Sequence, residues 1–140
     1  MKKILKISTT LFMVVSLILL TDQNINAQAQ QSKPWEVPDE YKNMENPVPK
    51  GEESNKTGKS LYDRQCASCH GKTGLSDGFK SRTLSDFAGD FSGDYYQNQT
   101  DGEHFYKTKF GRGEMPGYEG ILTDEEIWNI VNYMRTFKKE

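Results

Sequence analysis

Two cysteines and a histidine stand close together near the middle of the chain, as Cys66, Cys69 and His70. No other cysteine occurs among the 140 residues. Residues three apart on a helical turn lie on the same face, so two thiols at this spacing can each add to one vinyl group of a haem. His70 would then face the iron as the proximal ligand. The C-x-x-C-H pattern therefore predicts the covalent attachment of one haem.

Three other interpretations of the two cysteines stay open at this point. A thioredoxin-like redox pair needs a β-α-β context, and the sequence has no strand-like alternation of any length. A zinc site needs four ligands, and His104 is the one other histidine in the chain. A structural disulfide is common in exported proteins, but it would not explain His70.

A second axial ligand is predicted in a glycine-rich loop. Met115 lies in the segment 111–117, which contains three glycines. Glycine lets the backbone approach the haem ring closely. Pro116 restricts Met115 to extended conformations. A His/Met pair is a common axial set in electron-transfer haem proteins, so we expect Met115 to be the distal ligand.

The other candidate ligands are weaker. Met44 lies in a proline-rich linker. Met134 falls on the apolar stripe of the last helix, where filling the core is the better interpretation. His104 fits a surface or partly packed position in a short helix better than a ligand position.

Helices must position these residues. The sequence predicts a helix over about 56–65, which delivers the C-x-x-C-H segment, a short helix over 101–108, and a long last helix. The last two begin at capping boxes, Thr100 with Glu103 and Thr123 with Glu126. The last helix carries an apolar stripe at helical spacing: Ile127, Ile130, Val131, Met134 and Phe137.

The compact part of the chain is poor in aliphatic residues. Residues 56–140 contain eight Leu, Ile or Val in 85 positions. A domain of this size is marginal without a disulfide, metal or cofactor. A buried porphyrin would supply the apolar centre that the sequence lacks.

Residues 1–29 have the pattern of a secretory signal peptide. Three lysines precede an uncharged apolar stretch over 7–20, and small residues follow it. We expect cleavage after Ala29, with Ala27 as the second choice. An uncleaved membrane anchor is the alternative, but the stretch is shorter than the roughly 18 apolar residues of a spanning helix. The protein is thus expected to be exported to the periplasm or to the outer face of the cytoplasmic membrane.

Two further segments follow, a proline-rich acidic arm over 30–55 and a compact domain over 56–140. The arm also carries Trp35 and other apolar residues, so we expect it to pack partly on the domain or on a partner. Removing the signal peptide takes away three Lys and one Asp, which leaves 15 basic and 19 acidic side chains and a net charge of −4. This charge argues against nucleic acid as a partner.

The chain resembles class I cytochrome c over roughly residues 46–140. The motifs that carry the resemblance are Asn46-Pro47-Val48-Pro49, Gly58 to Tyr62, Cys66 to Gly71, Asp101 to Glu103, Gly111 to Pro116, and Leu122 to Trp128. The resemblance implies a small all-α cytochrome c fold, with three to five helices wrapped around one covalently bound haem c. It also implies that the first and last helices cross near Gly58, with Tyr62 and Tyr133 at the contact. One departure is Phe79, which stands where many members have a proline, so no acceptor for the His70 ring N–H is identified.

The expected function is single-electron transfer by a protein that is not an enzyme. Its partners would be redox proteins of a respiratory chain or a dehydrogenase, met through a basic group of Lys107, Lys109 and Arg112. One alternative is a haem subunit of a larger membrane or dehydrogenase complex, docked through residues 30–55. The other is a peroxidase-like enzyme or a gas sensor with an open iron site, against which Met115 argues.

Overall fold

The computed structural model of the chain describes residues 34–139, so the predicted signal peptide and its cleavage sites lie outside the described residues. Within this range the chain is helical and has no strand, which confirms the predicted all-α fold class. The longer helices are α2 (Glu52–Gln65), α5 (Asp101–Phe110) and α6 (Asp124–Arg135). Single turns form α1 (Asp39–Lys42), α3 (Ala67–His70), α4 (Asp94–Gln97) and a 3-10 turn at Ser81–Thr83. None of the helices in this part of the chain has the length and apolar character needed to cross a membrane.

Helices α2 and α6 cross where α2 carries a glycine. A Cβ atom at Gly58 would lie 2.0 Å from the Asn129 carbonyl oxygen and 2.9 Å from the Cβ atom of Tyr133. Only glycine therefore lets the two backbones approach this closely. The rings of Tyr62 and Tyr133 pack edge-on with their centroids 5.5 Å apart. The predicted crossing, with both tyrosines at the contact, is confirmed.

We expect Gly58→Ala to destabilise the protein, because the new methyl group must push α6 away from α2. Overpacking of this kind costs about 1–3 kcal/mol, and each kcal/mol lowers the Tm of a domain this small by roughly 4–8 °C. The matched control is Gly51→Ala, just before the same helix, where an added Cβ atom meets nothing within 4 Å. Thermal unfolding of the holoprotein checks the prediction, and equal Tm values for the two variants would contradict it.

Both predicted capping boxes are present. At the start of α5, the Thr100 hydroxyl accepts the Glu103 N–H at 3.1 Å, and the Glu103 carboxylate accepts the Thr100 N–H at 2.7 Å. At the start of α6, Thr123 and Glu126 make the same pair of bonds at 3.2 and 2.8 Å. Each box satisfies two backbone donors that the helix itself cannot satisfy.

Helix α2 begins at Glu52, four residues before the predicted start at residue 56. Glu52 and Glu53 form its first turn, where negative charge is favoured by the helix dipole. The acidic residues that the sequence assigns to the end of a linker are therefore the beginning of the helix.

The described part of the arm packs on its own domain. The Asn46 amide donates to the Trp128 carbonyl oxygen at 3.3 Å and to the Asn132 side-chain oxygen at 2.9 Å. The Asn132 amide donates in turn to the Val48 carbonyl oxygen at 3.1 Å. Asn132 is buried, so the arm supplies the partners that a buried amide needs.

The buried core is as much aromatic as aliphatic. Its members are Leu61, Tyr62, Phe91, Phe105, Ile127, Trp128, Ile130, Val131 and Met134. The rings of Phe105 and Trp128 stack with centroids 4.2 Å apart, while Leu75 and Ile121 are exposed. Large aromatic side chains thus fill much of the core of a domain that has few Leu, Ile and Val residues.

Candidate haem-attachment site

The two cysteines lie on one helical turn at the end of α2. The Cys66 carbonyl oxygen accepts the N–H groups of Cys69 at 3.1 Å and of His70 at 3.0 Å. The turn ends at Gly71, whose φ is +79° and where a Cβ atom would lie 1.7 Å from a carboxylate oxygen of Asp77. Glycine is therefore required at the position that closes the turn. The helical placement of the C-x-x-C-H segment agrees with the sequence analysis.

Both cysteines are free thiols. Burial raises the pKa of Cys66 to about 12, and the nearby Cys69 adds to the rise. This shift is opposite to the lowered pKa of a reactive redox pair. Within residues 34–139 no group of three or more His, Cys, Asp or Glu side chains is arranged to hold a metal ion. Together with the strandless fold, these observations argue against the thioredoxin-like and zinc interpretations.

The His70 ring is buried and incompletely satisfied. Its Nδ1 atom has no hydrogen-bond partner among the described residues, and the ring lies against Phe91 with centroids 4.5 Å apart. Burial lowers the pKa of His70 to about 4, and the nearby Ala88 backbone opposes this shift. His70 is therefore neutral at pH 7, the form in which imidazole binds metals.

The backbone of Ala88 lies beside the His70 ring. Phe79, which stands where many members of the resembled family have a proline, is 77% exposed. The backbone that faces His70 instead comes from Ala88, nine residues further along the chain. The neighbouring loop is fixed by the Ala88 N–H, which donates to the Ser76 hydroxyl at 3.1 Å.

Met115 lies in a loop closed by its own backbone. The Met115 N–H donates to the Arg112 carbonyl oxygen at 3.0 Å, and the Arg112 N–H donates to the Met115 carbonyl oxygen at 2.9 Å. A Cβ atom at Gly111, whose φ is +65°, would lie 2.3 Å from the Gly117 nitrogen. The glycines therefore permit a close turn that leaves the Met115 side chain partly buried.

Two contacts tie this loop to other segments of the site. The Glu114 carboxylate accepts the Ser85 N–H and hydroxyl, both at 2.7 Å. The Tyr118 hydroxyl donates to the Gln65 carbonyl oxygen at 2.8 Å, at the end of α2. Burial raises the pKa of Tyr118 to about 12, with further contributions from both cysteines, so the phenol lies near Cys66 and Cys69. The loop of Met115 is thus connected to the C-x-x-C-H segment through Tyr118, a residue that sequence reasoning missed.

The two alternative ligands of the domain are core residues. Met134 is buried on α6, and its sulfur accepts the Tyr96 hydroxyl at 3.1 Å. His104 is also buried, at 2% exposure, which corrects the expected surface or partly packed position. Its ring stacks on Tyr96 with centroids 4.0 Å apart, and Nε2 donates to the Tyr96 carbonyl oxygen at 3.2 Å. This hydrogen bond and stacking make burial of the imidazole possible.

The three basic residues predicted to form a docking surface beside Met115 all contact other residues of the chain. The Lys107 ammonium donates to the Gln99 side chain, and the Lys109 ammonium forms an ion pair with Asp124 at 2.8 Å. The Arg112 guanidinium lies over the indole ring of Trp35 at 4.5 Å from its centroid. Each cation is therefore engaged within the protein, which weakens the expectation that the three form a docking surface.

The residues at this site fit a covalently bound haem. Two free thiols occupy one helical turn, where two thioether bonds would form. The adjacent imidazole is neutral and keeps Nδ1 buried without a partner. Imidazole binds metals in its neutral form.

Comparisons with known proteins agree with this arrangement. The family model described as "Cytochrome C oxidase, cbb3-type, subunit III" matches residues 53–134, which is more than half of the chain. No curated protein matches the chain significantly.

Two solved structures are similar to the chain. The "KustC0563 c-type cytochrome" is 27% identical, with a TM-score of 0.51, over 59% of this chain and 98% of its own. The Kuenenia stuttgartiensis "reducing HAO-like protein complex Kustc0457/Kustc0458" is 19% identical, with a TM-score of 0.60, over 81% of this chain and 54% of its own, and shows the fold alone. The chain therefore has a cytochrome c domain, whose family implies covalently bound haem c, and it belongs to the cytochrome c family described as cbb3-type oxidase subunit III.

Proposed function

We propose that this protein is a single-electron carrier of the monohaem class I type. Cys66 and Cys69 would form the two thioether bonds, and His70 and Met115 would be the proximal and distal iron ligands. The observation that carries the proposal is the buried, neutral His70 ring with an unpartnered Nδ1 atom, which directly follows one free thiol and lies one helical turn from the other.

Each of these residues has a role that its surroundings support. When bound, the haem supplies one-electron chemistry, with its potential set by the axial pair and by burial. The Ala88 carbonyl group would accept the ring N–H of His70 and so orient the ring. The closed Arg112–Met115 turn holds the sulfur of Met115. Covalent attachment would keep the cofactor on a protein that acts outside the cytoplasm.

The proposed location is the periplasm or the outer face of the cytoplasmic membrane. The support is the signal-peptide pattern of residues 1–29 together with the attachment motif. The proposed partners are redox proteins that meet the carrier transiently, through a small and wet interface.

A subunit of a larger electron-transfer complex is the second candidate. The matching family is named for an oxidase subunit, and one structural neighbour is a protein complex. Such a subunit was expected to dock through the arm of residues 30–55. The described part of this arm instead forms hydrogen bonds with the domain of the same chain. This engagement favours the free carrier.

An optical spectrum with a pyridine haemochrome assay tests the proposal. We expect one c-type haem per chain, because the sequence has one C-x-x-C-H motif, and a far-red charge-transfer band in the ferric protein from Met sulfur. Size exclusion of the native extract should show a small particle. A haem content of zero, or a ferric spectrum without the far-red band, would contradict the carrier with His/Met ligation, and elution at high mass would favour the subunit.

A further inference from the structure

We propose that Trp35 is a positioning residue for the distal ligand, acting through Arg112. The indole ring and the guanidinium would hold the Met115 loop closed and so limit how often the sulfur leaves the iron. This inference rests on the proposed function, because it takes Met115 as the ligand.

The contact between the arm and the loop has two parts. The Arg112 guanidinium carbon lies 4.5 Å from the centroid of the Trp35 ring, within the range of an attractive cation–π contact. One guanidinium nitrogen of Arg112 also donates to the Pro34 carbonyl oxygen at 3.3 Å. A planar guanidinium can stack on an aromatic ring while its N–H groups donate in the plane. Arg112 is thus fixed by residues more than 70 positions away in the sequence.

The arm presents Trp35 from an anchored backbone. Val37, two residues later, is 5% exposed. The Tyr41 ring packs against Tyr106 and Phe110 of α5, with centroids 4.8 and 5.6 Å apart. Because these contacts already order the arm, little further conformational entropy is lost when Trp35 covers Arg112.

Arg112 controls the backbone of Met115 directly. It makes two backbone hydrogen bonds with Met115, one in each direction. It also stands between Gly111 and Gly113, which both have positive φ, +65° and +58°. Glycines on both sides give this segment backbone freedom, so contacts of the Arg112 side chain add to the rigidity of the turn. On the far side, Glu114 is held by Ser85. The turn is therefore held from two sides, and Trp35 provides one of them.

The test is the rate at which imidazole binds to the ferric holoprotein, followed by loss of the far-red band. Imidazole can reach the iron only after Met115 leaves, so the rate reports how often the loop opens. Trp35→Ala should raise this rate roughly 2- to 5-fold, which is the change expected when a cation–π contact near the surface is lost. Trp35→Phe keeps an aromatic face and should restore most of the wild-type rate. Arg112→Gln should raise the rate at least as much as Trp35→Ala, because it also removes the hydrogen bond to Pro34. The double variant should then match Arg112→Gln, because the cation–π contact is lost only once.

The matched control is Tyr95→Ala, which removes an aromatic side chain that is 54% exposed on the short helix α4 and lies outside the contact between Trp35 and Arg112. Its imidazole rate should equal that of the wild type. An unchanged rate in Trp35→Ala, or an equal rise in Tyr95→Ala, would overturn the inference while leaving Met115 as the ligand. A wild-type protein without the far-red band would overturn the proposed ligation itself, and with it this inference.

Discussion

Replacement of either cysteine by alanine is expected to prevent normal maturation of the holoprotein. Cys66 and Cys69 lie on one turn of helix, and each would form one thioether bond to the haem. A single substitution removes one of the two covalent links, and the double substitution removes both. We expect the double variant to carry no covalent haem and each single variant to carry much less than the wild type.

Haem staining of denaturing gels, with mass spectrometry of the intact protein, measures this outcome. The matched control is Ser68→Ala, between the two cysteines, which leaves both thiols in place. Ser68 is partly buried, with its hydroxyl group 3.8 Å from the Cys69 sulfur, so the control also shows whether disturbance of the turn alone reduces attachment. Full staining of the double variant would mean that the C-x-x-C-H segment has another role.

The features that the sequence predicted well depend on residues close together in the chain. A capping box joins residues three apart, such as Thr123 and Glu126, so its geometry follows from the local sequence once a helix forms. The C-x-x-C-H turn is local in the same way. The crossing at Gly58 involves distant segments, and it was available only through resemblance to class I cytochrome c.

The features that the sequence did not predict arise from contacts between distant segments. Tyr118 donates to the carbonyl group of Gln65, which is 53 positions away in the sequence. Trp35 contacts Arg112, which is 77 positions away. The backbone that lies beside the His70 ring is that of Ala88, and the sequence alone does not show where a backbone group will lie. No local pattern distinguishes these residues from other aromatic or small residues in loops, because the tertiary fold decides which of them meet.

His104 illustrates a different difficulty. Histidine is polar, and most sequence arguments place it near the surface. Here the carbonyl group of Tyr96 and the stacked ring of the same residue accommodate the imidazole in the interior. Burial lowers the pKa of His104 well below its usual value, so the buried ring is neutral at pH 7. The sequence predicted the helix that carries His104. It did not show that the Tyr96 carbonyl group would lie within hydrogen-bond distance of the ring.

The three methionines outside the signal peptide should respond differently to substitution by alanine. Met115→Ala should leave the haem covalently bound, because both thioethers and His70 are unchanged. It should lower the reduction potential, since a thioether ligand stabilises ferrous over ferric iron relative to water. We expect a decrease of roughly one to a few tenths of a volt, part of the about 0.8 V that axial ligands span. The reduced protein should also bind carbon monoxide, which a bound Met sulfur prevents.

The other two methionines provide matched controls. Met134→Ala should keep the far-red band and the potential but cost roughly 2–5 kcal/mol of stability, because it opens a cavity in the core. Met44 lies in the arm and is 37% exposed, so Met44→Ala should change none of these properties. The decisive measurement is the far-red charge-transfer band of the ferric protein in all three variants. The band should disappear in Met115→Ala alone. If it persists there and is lost in Met134→Ala, the sulfur on the iron belongs to α6, and the loop of Met115 has only a structural role.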